Sequence, residues 1–246
     1  MGLFMIVLFT DFGLAGPYTG QMHAALQRDA PGIPVVSLFA DAPAGQPKSC
    51  AYLLAAYAAW FPPGTVLLCV VDPGVGSDRR AVIAEADGRI YVGPDNGLFE
   101  LALRRAARAR LWQIEWVPPS LSASFHGRDL FAPVAARLAC GDPVERLGRP
   151  VAVESRPDWP DDLAEIIYID HYGNAIAGLR GETVKPKAKL RAGGKAVAPA
   201  RTFSAVSPGR AFWYVNSNGL AEIAVNGGRA DTVLGLNVGS PVAVMG

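Results

Sequence analysis

The sequence predicts an α/β protein in two parts: an N-terminal α/β sandwich-type domain with a mostly parallel sheet, and a smaller C-terminal all-β domain. Three observations predict it. Apolar runs of strand length alternate with helical segments through residues 3–71, a proline- and charge-rich stretch breaks the pattern near residue 150, and beyond it only short runs punctuated by Gly and Asn remain.

Taken in order, "LFMIVLF" (3–9), "PVVSLFA" (34–40) and "TVLLCVV" (65–71) are strands, separated by helices over "PYTGQMHAALQRD" (17–29) and "PKSCAYLLAAYAAW" (47–60). The strands are apolar on both faces, as in a parallel sheet covered by helices, where ligands bind beyond the carboxyl ends of the strands. Asp11, Asp41 and Asp72 stand at those ends. A hairpin at 81–93 follows, then a helix from about Gly97 to Ala109 behind the capping pair Asp95-Asn96 and a strand at 111–116. A further helix runs from about Arg128 to Cys140, capped by Ser124 or Asp129. The stretch 141–163 has several prolines and charges with little periodicity, so the chain divides as domain 1–145, linker 146–163 and domain 164–246. In the last part "AEIIYIDHYGNAIAGL", "AKLRAGGKAV", "AFWYVNSNG" and "LAEIAVNGG" read as hairpins of a small barrel or sandwich.

Composition excludes several function classes. The 246 residues are 50% hydrophobic and 18% charged, enough for a large core. A net charge of +1 gives no polyanion signal, and Arg104, Arg105, Arg108 and Arg110 read as the solvated side of a helix, so no nucleic-acid partner is expected. Cys50, Cys69 and Cys140 are too far apart for a zinc site and odd in number for a disulfide framework; three buried thiols in the reducing cytoplasm are expected, with no metal. The start "MGLFMIVLFTD" lacks the basic segment and cleavage pattern of a signal peptide. The uncharged stretch Ser49–Val71 is broken by Pro62, Pro63 and Gly64, so no membrane span is expected.

Three places hold side chains suited to chemistry. In "VVDPGVGSDRR" (70–80), Pro73-Gly74 suits the centre of a type II turn, which would fold the chain back so that Arg79 meets Asp72. That pair fits a functional site, and equally a salt bridge bracing a loop. His126, in "SASFHGRDLFAP", is the best general-base candidate of three histidines: His23 falls inside a helical pattern and His171 in a turn-like "DHYGN". Asp11, in the glycine-rich strand-to-helix turn "LFTDFGLAGPY", is placed to accept two vicinal hydroxyls, as from a ribose. With neither a Walker loop nor G-x-G-x-x-G, phosphate cradling is not expected. Asp170, Asn174 and the cluster Asn216, Ser217, Asn218 sit at hairpin turns, which turn chemistry alone explains. Phe203, Phe212, Trp213 and Tyr214 are core residues by default.

Together, "TDFG", "VVDPGVGSDRR", "YVGPDNGL", "SFHGRDLFAP", "YIDHYGNAI" and "VNSNGLAEIAVNGG" resemble, in order along nearly the whole chain, the S-adenosyl-L-methionine hydroxide adenosyltransferases, hydrolases related to the fluorinase and chlorinase enzymes. The resemblance implies an N-terminal α/β domain and a C-terminal β-barrel in a homotrimer whose sites lie between subunits. It implies attack of water or hydroxide on the ribose C5′ of S-adenosylmethionine, giving adenosine and methionine without a cofactor. Asp72, Arg79 and His126 fall on the triad, with the acid and the histidine orienting the water and taking its proton. Asp11 falls on the ribose contact, Asp170 and Ser217 on the methionine end, and Asn174 and Phe203 on adenine. Two departures stand out: "LFADAPAGQP" where a His-containing segment is common, and His171 where a basic residue is commoner. The alternatives are a halogenase passing the same adenosyl group to chloride or fluoride, and a non-catalytic adenosyl-ligand binding protein.

Overall fold

A computed structural model describes residues 5–245, which form two compact units divided between Arg156 and Pro157. Residues 3 and 4 of the first expected strand lie outside the described residues.

The first unit is a seven-stranded sheet between helices. Strands β1 (Ile6–Thr10), β2 (Val35–Phe39) and β3 (Val66–Val70) match the three apolar runs, and α1 (Tyr18–Asp29) and α2 (Pro47–Ala58) match the helices between them. Pro47 opens α2 at a position where its missing N–H costs nothing. Then come β4 (Ala81–Ala86), β5 (Arg89–Pro94), α3 (Glu100–Arg105), β6 (Ala109–Ile114), a π-helical turn at Gly127–Phe131, α4 (Ala132–Ala139) and β7 (Gly148–Val151). The sheet order is β2-β1-β3-β5-β4-β6-β7. Successive side chains of β1 and β3 alternate between two covered faces. Ile6, Leu8, Val66 and Leu68 pack with Met22 and Leu26 of α1 and Val134 and Leu138 of α4. On the other face Phe9 meets Phe39 at 5.1 Å, and Phe39 meets Tyr57 of α2 at 5.0 Å.

Several expectations are corrected. The sheet is parallel only across β1/β2, β1/β3 and β3/β5; the pairs of β4 with β5 and β6, and of β6 with β7, are antiparallel. Strand β2 is not covered on both faces, because it is the sheet's edge and Val36 and Ser37 are exposed. The helix expected over 97–109 is cut to Glu100–Arg105: the Asp87 carboxylate accepts the amides of Ala107 (3.2 Å) and Arg108 (3.0 Å) and turns the chain into β6, which carries Arg110. Asp95 and Asn96 do not cap α3; Asp95 accepts from Arg80, and Asn96 holds the Val71 carbonyl and the Leu98 amide. The helix expected from 128 opens as a π-turn, with the Ala132 amide bonded to Gly127 five residues back, because Pro133 has no N–H to give the Asp129 carbonyl. Neither Ser124 nor Asp129 caps it; the Asp129 carboxylate accepts the Ser122 amide at 2.9 Å. Strand β7 lies inside the stretch read as linker, held by pairing with β6. Cys50 and Cys69 are buried, whereas Cys140 is exposed at the end of α4.

The second unit is all-β apart from short helical turns. Strands β8 (Leu163–Ile169), β9 (Ala175–Arg180), β10 (Lys189–Ala192), β11 (Lys195–Pro199), β12 (Ala211–Val215), β13 (Leu220–Val225) and β14 (Val242–Met245) form a sheet of order β14-β10-β11-β12-β13-β9-β8. Its end strands approach each other: Ile166 donates to Ser240 at 2.8 Å and Gly239 to Ile166 at 2.7 Å, bringing the sheet close to a closed barrel. Trp213, Ile223, Val225 and Leu190 fill its interior. Among the described residues, no helix is long and apolar enough to cross a membrane.

Gly93 marks how tightly β5 enters the sheet: a Cβ there would lie 2.1 Å from the Cys69 carbonyl oxygen and 3.0 Å from the Phe99 ring. Gly93→Ala is expected to cost about 2 kcal/mol or more and to lower the melting temperature by roughly 4–8 °C. Thermal denaturation checks this, and an unchanged melting temperature would refute the packing.

Candidate functional site

The direction of the strands delivers the candidate side chains of the first unit to one edge. β1, β2 and β3 run parallel, so Asp11, Asp41 and Asp72 follow their carboxyl ends together. β4 runs antiparallel to β5, itself parallel to β3, so β4 begins at the edge where β3 ends. The link 71–80 therefore turns back without crossing the sheet, and Arg79 arrives beside Asp72. β6 runs opposite to β4 and leaves at the same edge, and the segment after it carries His126.

The turn differs in type from the sequence expectation. Val75 donates to the Asp72 carbonyl at 3.3 Å, but Gly74 does not adopt a positive φ, so Pro73-Gly74 is not a type II turn. The left-handed residue is Gly76, φ 81°, at the third position of an overlapping turn closed by Ser77 to the Gly74 carbonyl at 3.1 Å. A Cβ on Gly76 would lie 2.7 Å from the Ala123 carbonyl oxygen. Glycine here meets two demands, a positive φ and the close docking of the Asp72–Arg79 link on the segment that bears His126.

Arg79 is the hub. Its Nε donates to Asp72 Oδ1 at 2.9 Å and Oδ2 at 3.0 Å, and its Nη2 donates both to Asp72 Oδ2 and to His126 Nδ1 at 3.0 Å. The side chains of Arg79 and Asp72 are 11% and 5% exposed, so this is a nearly buried ion pair. The guanidinium lies 5.3 Å from the centre of the buried Phe131 ring. A guanidinium only donates. His126 Nδ1 must accept, and the neutral ring carries its proton on Nε2. Burial, and next the Arg79 charge, hold His126 below the ordinary histidine value.

Asp11 accepts the Gly45 amide at 2.8 Å on Oδ2. Burial raises its carboxyl above the ordinary aspartate value and the Asp72 charge adds to this, against the lowering by the Gly45 amide. Phe12, Tyr18 and Phe125 pack mutually at 5.4–5.9 Å beside these groups. His23 is bonded to Ser37 at 2.8 Å, away from this constellation.

The other candidates lie in the second unit. Asp170 accepts the Asn174 amide at 2.8 Å and its side-chain nitrogen at 3.0 Å, closing the β8–β9 hairpin around Gly173, φ 80°. Phe203 is 36% exposed and packs edge-on against Phe212 at 5.0 Å. Ser217 is exposed in the β12–β13 turn. Among the described residues, no three His, Cys, Asp or Glu side chains are grouped to hold a metal ion. Sequence reasoning gave no role to Phe131, five residues beyond His126, and read Asn96 only as a cap, whereas its side chain donates to the Val71 carbonyl at 2.8 Å and holds the strand end before Asp72.

Fold and site together define an α/β protein with an Asp–Arg–His constellation, its ion pair nearly buried, at the carboxyl edge of its sheet. Residues 6–148 match the SAM hydroxide adenosyltransferase N-terminal domain and residues 164–243 its C-terminal domain, and the chain belongs to that family. It is 41% identical to the (R)-S-adenosyl-L-methionine hydrolase of Thermus thermophilus over 98% of this chain and 99% of the relative. The crystal structure of an uncharacterized conserved protein from Thermotoga maritima superposes with a TM-score of 0.89 at 29% identity, over 98% of this chain and 100% of that one. The fluorinase of Nocardia brasiliensis is 23% identical over 60% of this chain and 58% of its own.

Replacing Gly76 by Ala sets a Cβ against Ala123 in a conformation that costs an L-residue about 1–2 kcal/mol. The two segments are expected to part and withdraw Arg79 from His126, so the histidine titrates nearer its ordinary value. An NMR titration of the imidazole, assigned with a His126→Gln variant, checks this; an unmoved midpoint would refute the docking.

Proposed function

We propose that this protein hydrolyses S-adenosyl-L-methionine to adenosine and L-methionine, and that the constellation of Asp72, Arg79 and His126 is its catalytic centre. The observation that carries the proposal is Arg79 bridging Asp72 and His126 in a nearly buried pair at the ligand-binding edge of the sheet.

Water attacks the ribose C5′ as the C5′–S bond breaks, and the bonding electrons leave on sulfur. The sulfonium departs as a neutral thioether, so the leaving group needs neither a proton nor a Lewis acid, and the reaction calls for no cofactor. The protein's task is to hold one partly desolvated water in line with the C–S bond. The attacking water becomes an oxonium, a strong acid, which even a carboxylate can deprotonate. We assign that step to Asp72, whose oxygens keep lone pairs beyond those taken by Arg79. His126 is assigned a different part from the proton acceptor that the sequence led us to expect. Its basic lone pair faces Arg79, so the ring donates from Nε2 and orients the water. As that proton passes to Asp72 the attacking oxygen gains hydroxide character, which the neighbouring guanidinium charge favours. Asp11 is proposed to accept the ribose hydroxyls, Asp170 and Ser217 to contact the methionine end, and Asn174 and Phe203 to contact adenine. Cytoplasmic placement is proposed as well, where an exposed thiol such as Cys140 stays reduced.

A halide nucleophile in the same position would face the Asp72 carboxylate, which repels it; this favours water over chloride or fluoride. Incubation with S-adenosylmethionine, followed by chromatography, separates the readings. Adenosine supports the hydrolase, a 5′-halogenated adenosine the halogenase, and unchanged ligand a binding protein.

Arg79→Ala is expected to lower kcat by about 10² or more with little change in substrate affinity, as for loss of a positioned charge. Asp72→Ala behaves alike, and the double loss is far smaller than the product of the singles. His126→Gln, which keeps an N–H donor but no base, is expected to stay within about 10-fold of the native rate, whereas His126→Ala falls about 10²-fold. In the native protein the rate holds as pH falls through the ordinary histidine value and declines only below it, because neutral His126 is the active form and its acidity is raised. Single-turnover adenosine formation across pH checks these outcomes, and native-like rates in both Arg79→Ala and His126→Ala would overturn the assignment.

The first-unit and second-unit groups are proposed to meet across neighbouring subunits of a homotrimer. Subunit exchange between Asp11→Ala and Ser217→Ala proteins, each inactive alone, should then restore part of the activity. An active monomer would overturn this.

A further inference from the structure

We infer that Glu222, which lies in the run "VNSNGLAEIAVNGG" but is given no role by the sequence, is a positioning residue for the substrate: it ties the aromatic cluster carrying Phe203 to the turn carrying Ser217. The inference rests on the hydrolase reading above for the identity of that substrate.

Glu222 stands in the middle of β13 and is 6% exposed. A carboxylate is rarely so buried unless its lone pairs are met. Two neutral donors meet them here. Tyr214, directly opposite on β12, donates its hydroxyl to Oε1, and Asn216 donates its side-chain nitrogen to Oε2 at 3.0 Å. Among the described ion pairs none includes Glu222, so pairing with a cation does not account for a charge at this depth.

Each donor leads to one of the proposed substrate contacts. The Tyr214 ring stacks on Phe212 at 5.6 Å and meets Phe203 at 5.8 Å, while Phe203 stands edge-on to Phe212 at 5.0 Å. Phe203 thus rests on two rings, one of them anchored through its hydroxyl to Glu222. On the other side Asn216 Oδ1 accepts the amides of Asn218 at 2.9 Å and Leu220 at 3.0 Å, and those bonds shape the turn that exposes Ser217. The amide group of Asn216 is therefore oriented from both ends: oxygen to the turn, nitrogen to Glu222.

This accounts for a carboxylate rather than its amide isostere. A glutamine accepts on one atom only. With that atom on Tyr214, its NH2 would face the Asn216 NH2, donor against donor. Asn216 would then have to rotate and turn its own NH2 onto the Asn218 and Leu220 amides, which also donate. The flipped glutamine, oxygen to Asn216 and NH2 to the Tyr214 hydroxyl, deprives that hydroxyl of the acceptor for its own proton; a carboxylate is the side chain of this length that accepts from both neighbours at once.

Glu222→Gln is expected to raise KM for S-adenosylmethionine about 10-fold, the scale of one unsatisfied buried polar contact, with kcat within about 2-fold. Groups that hold substrate and transition state alike appear in KM. Tyr214→Phe keeps the ring and the stack but removes one donor; a rise of about 3-fold is expected, and the double variant should show less than the product of the two. This variant carries the test if Glu222→Gln does not fold. A merely structural role predicts a lower melting temperature with KM unchanged at 25 °C. Steady-state kinetics with calorimetric binding of S-adenosylmethionine to the native protein and both variants decides. Unchanged KM in folded variants of an active native protein overturns the inference alone, while a native protein that forms no adenosine from S-adenosylmethionine overturns the hydrolase reading and the inference with it.

Discussion

The ion pair between Arg79 and Asp72 is the interaction on which the first unit's site depends. A guanidinium and a carboxylate this far from water are tolerable only while each satisfies the other; breaking such a pair typically costs about 3–5 kcal/mol. The surrounding chain serves that condition. Antiparallel β4 starts where parallel β3 ends, the Asn96 side chain holds the Val71 carbonyl, and Phe131 lies against the guanidinium. The pair in turn sets the state of the third member, because a donor-only guanidinium on Nδ1 leaves His126 its proton on Nε2. One salt bridge thereby decides which nitrogen of the histidine bears the proton. On the proposed function a loop brace and a catalytic device are the same contact, since the rigidity that a brace supplies would place the N–H that orients the water.

The second unit solves a similar problem without a cation. Its buried carboxylate is met by a phenol and an amide across adjacent strands, and the order this imposes reaches the surface at two points. Asp170 is likewise engaged within its own hairpin, accepting twice from Asn174. Turn chemistry and ligand contact do not exclude each other at such positions. A carboxylate pinned by its own loop keeps lone pairs for a ligand and loses little conformational freedom on binding.

The elements that were legible are those whose pattern is local. The apolar runs at 6–10 and 66–70, helix α1 and the hairpin β4–β5 lie where alternation and Gly punctuation place them. The misread elements turn on contacts from elsewhere in the chain. The helix expected through Ala109 stops at Arg105 because the Asp87 carboxylate, from another hairpin, takes the amides of Ala107 and Arg108. Pro73-Gly74 satisfies the composition of a type II turn, yet the positive φ falls on Gly76, because Gly76 is the residue that must approach Ala123. The sheet is half antiparallel because a short link out of β3 leads into a hairpin rather than a crossover helix, and strand direction is a property of pairing that apolar runs do not encode.

The sequence by itself determined the two-part α/β and all-β organisation and the acids at the strand ends, because residue type and spacing carry that information directly; it offered the pair Asp72 and Arg79 and, separately, His126 as candidates, and only the resemblance of its ordered motifs grouped them as one triad. Only the tertiary structure decided that Arg79 joins Asp72 to His126, which imidazole nitrogen bears the proton, and that Glu222 is buried between Tyr214 and Asn216. Those are relations between segments tens of residues apart or on facing strands. They are set by sheet direction and register, which exist only once the strands have paired.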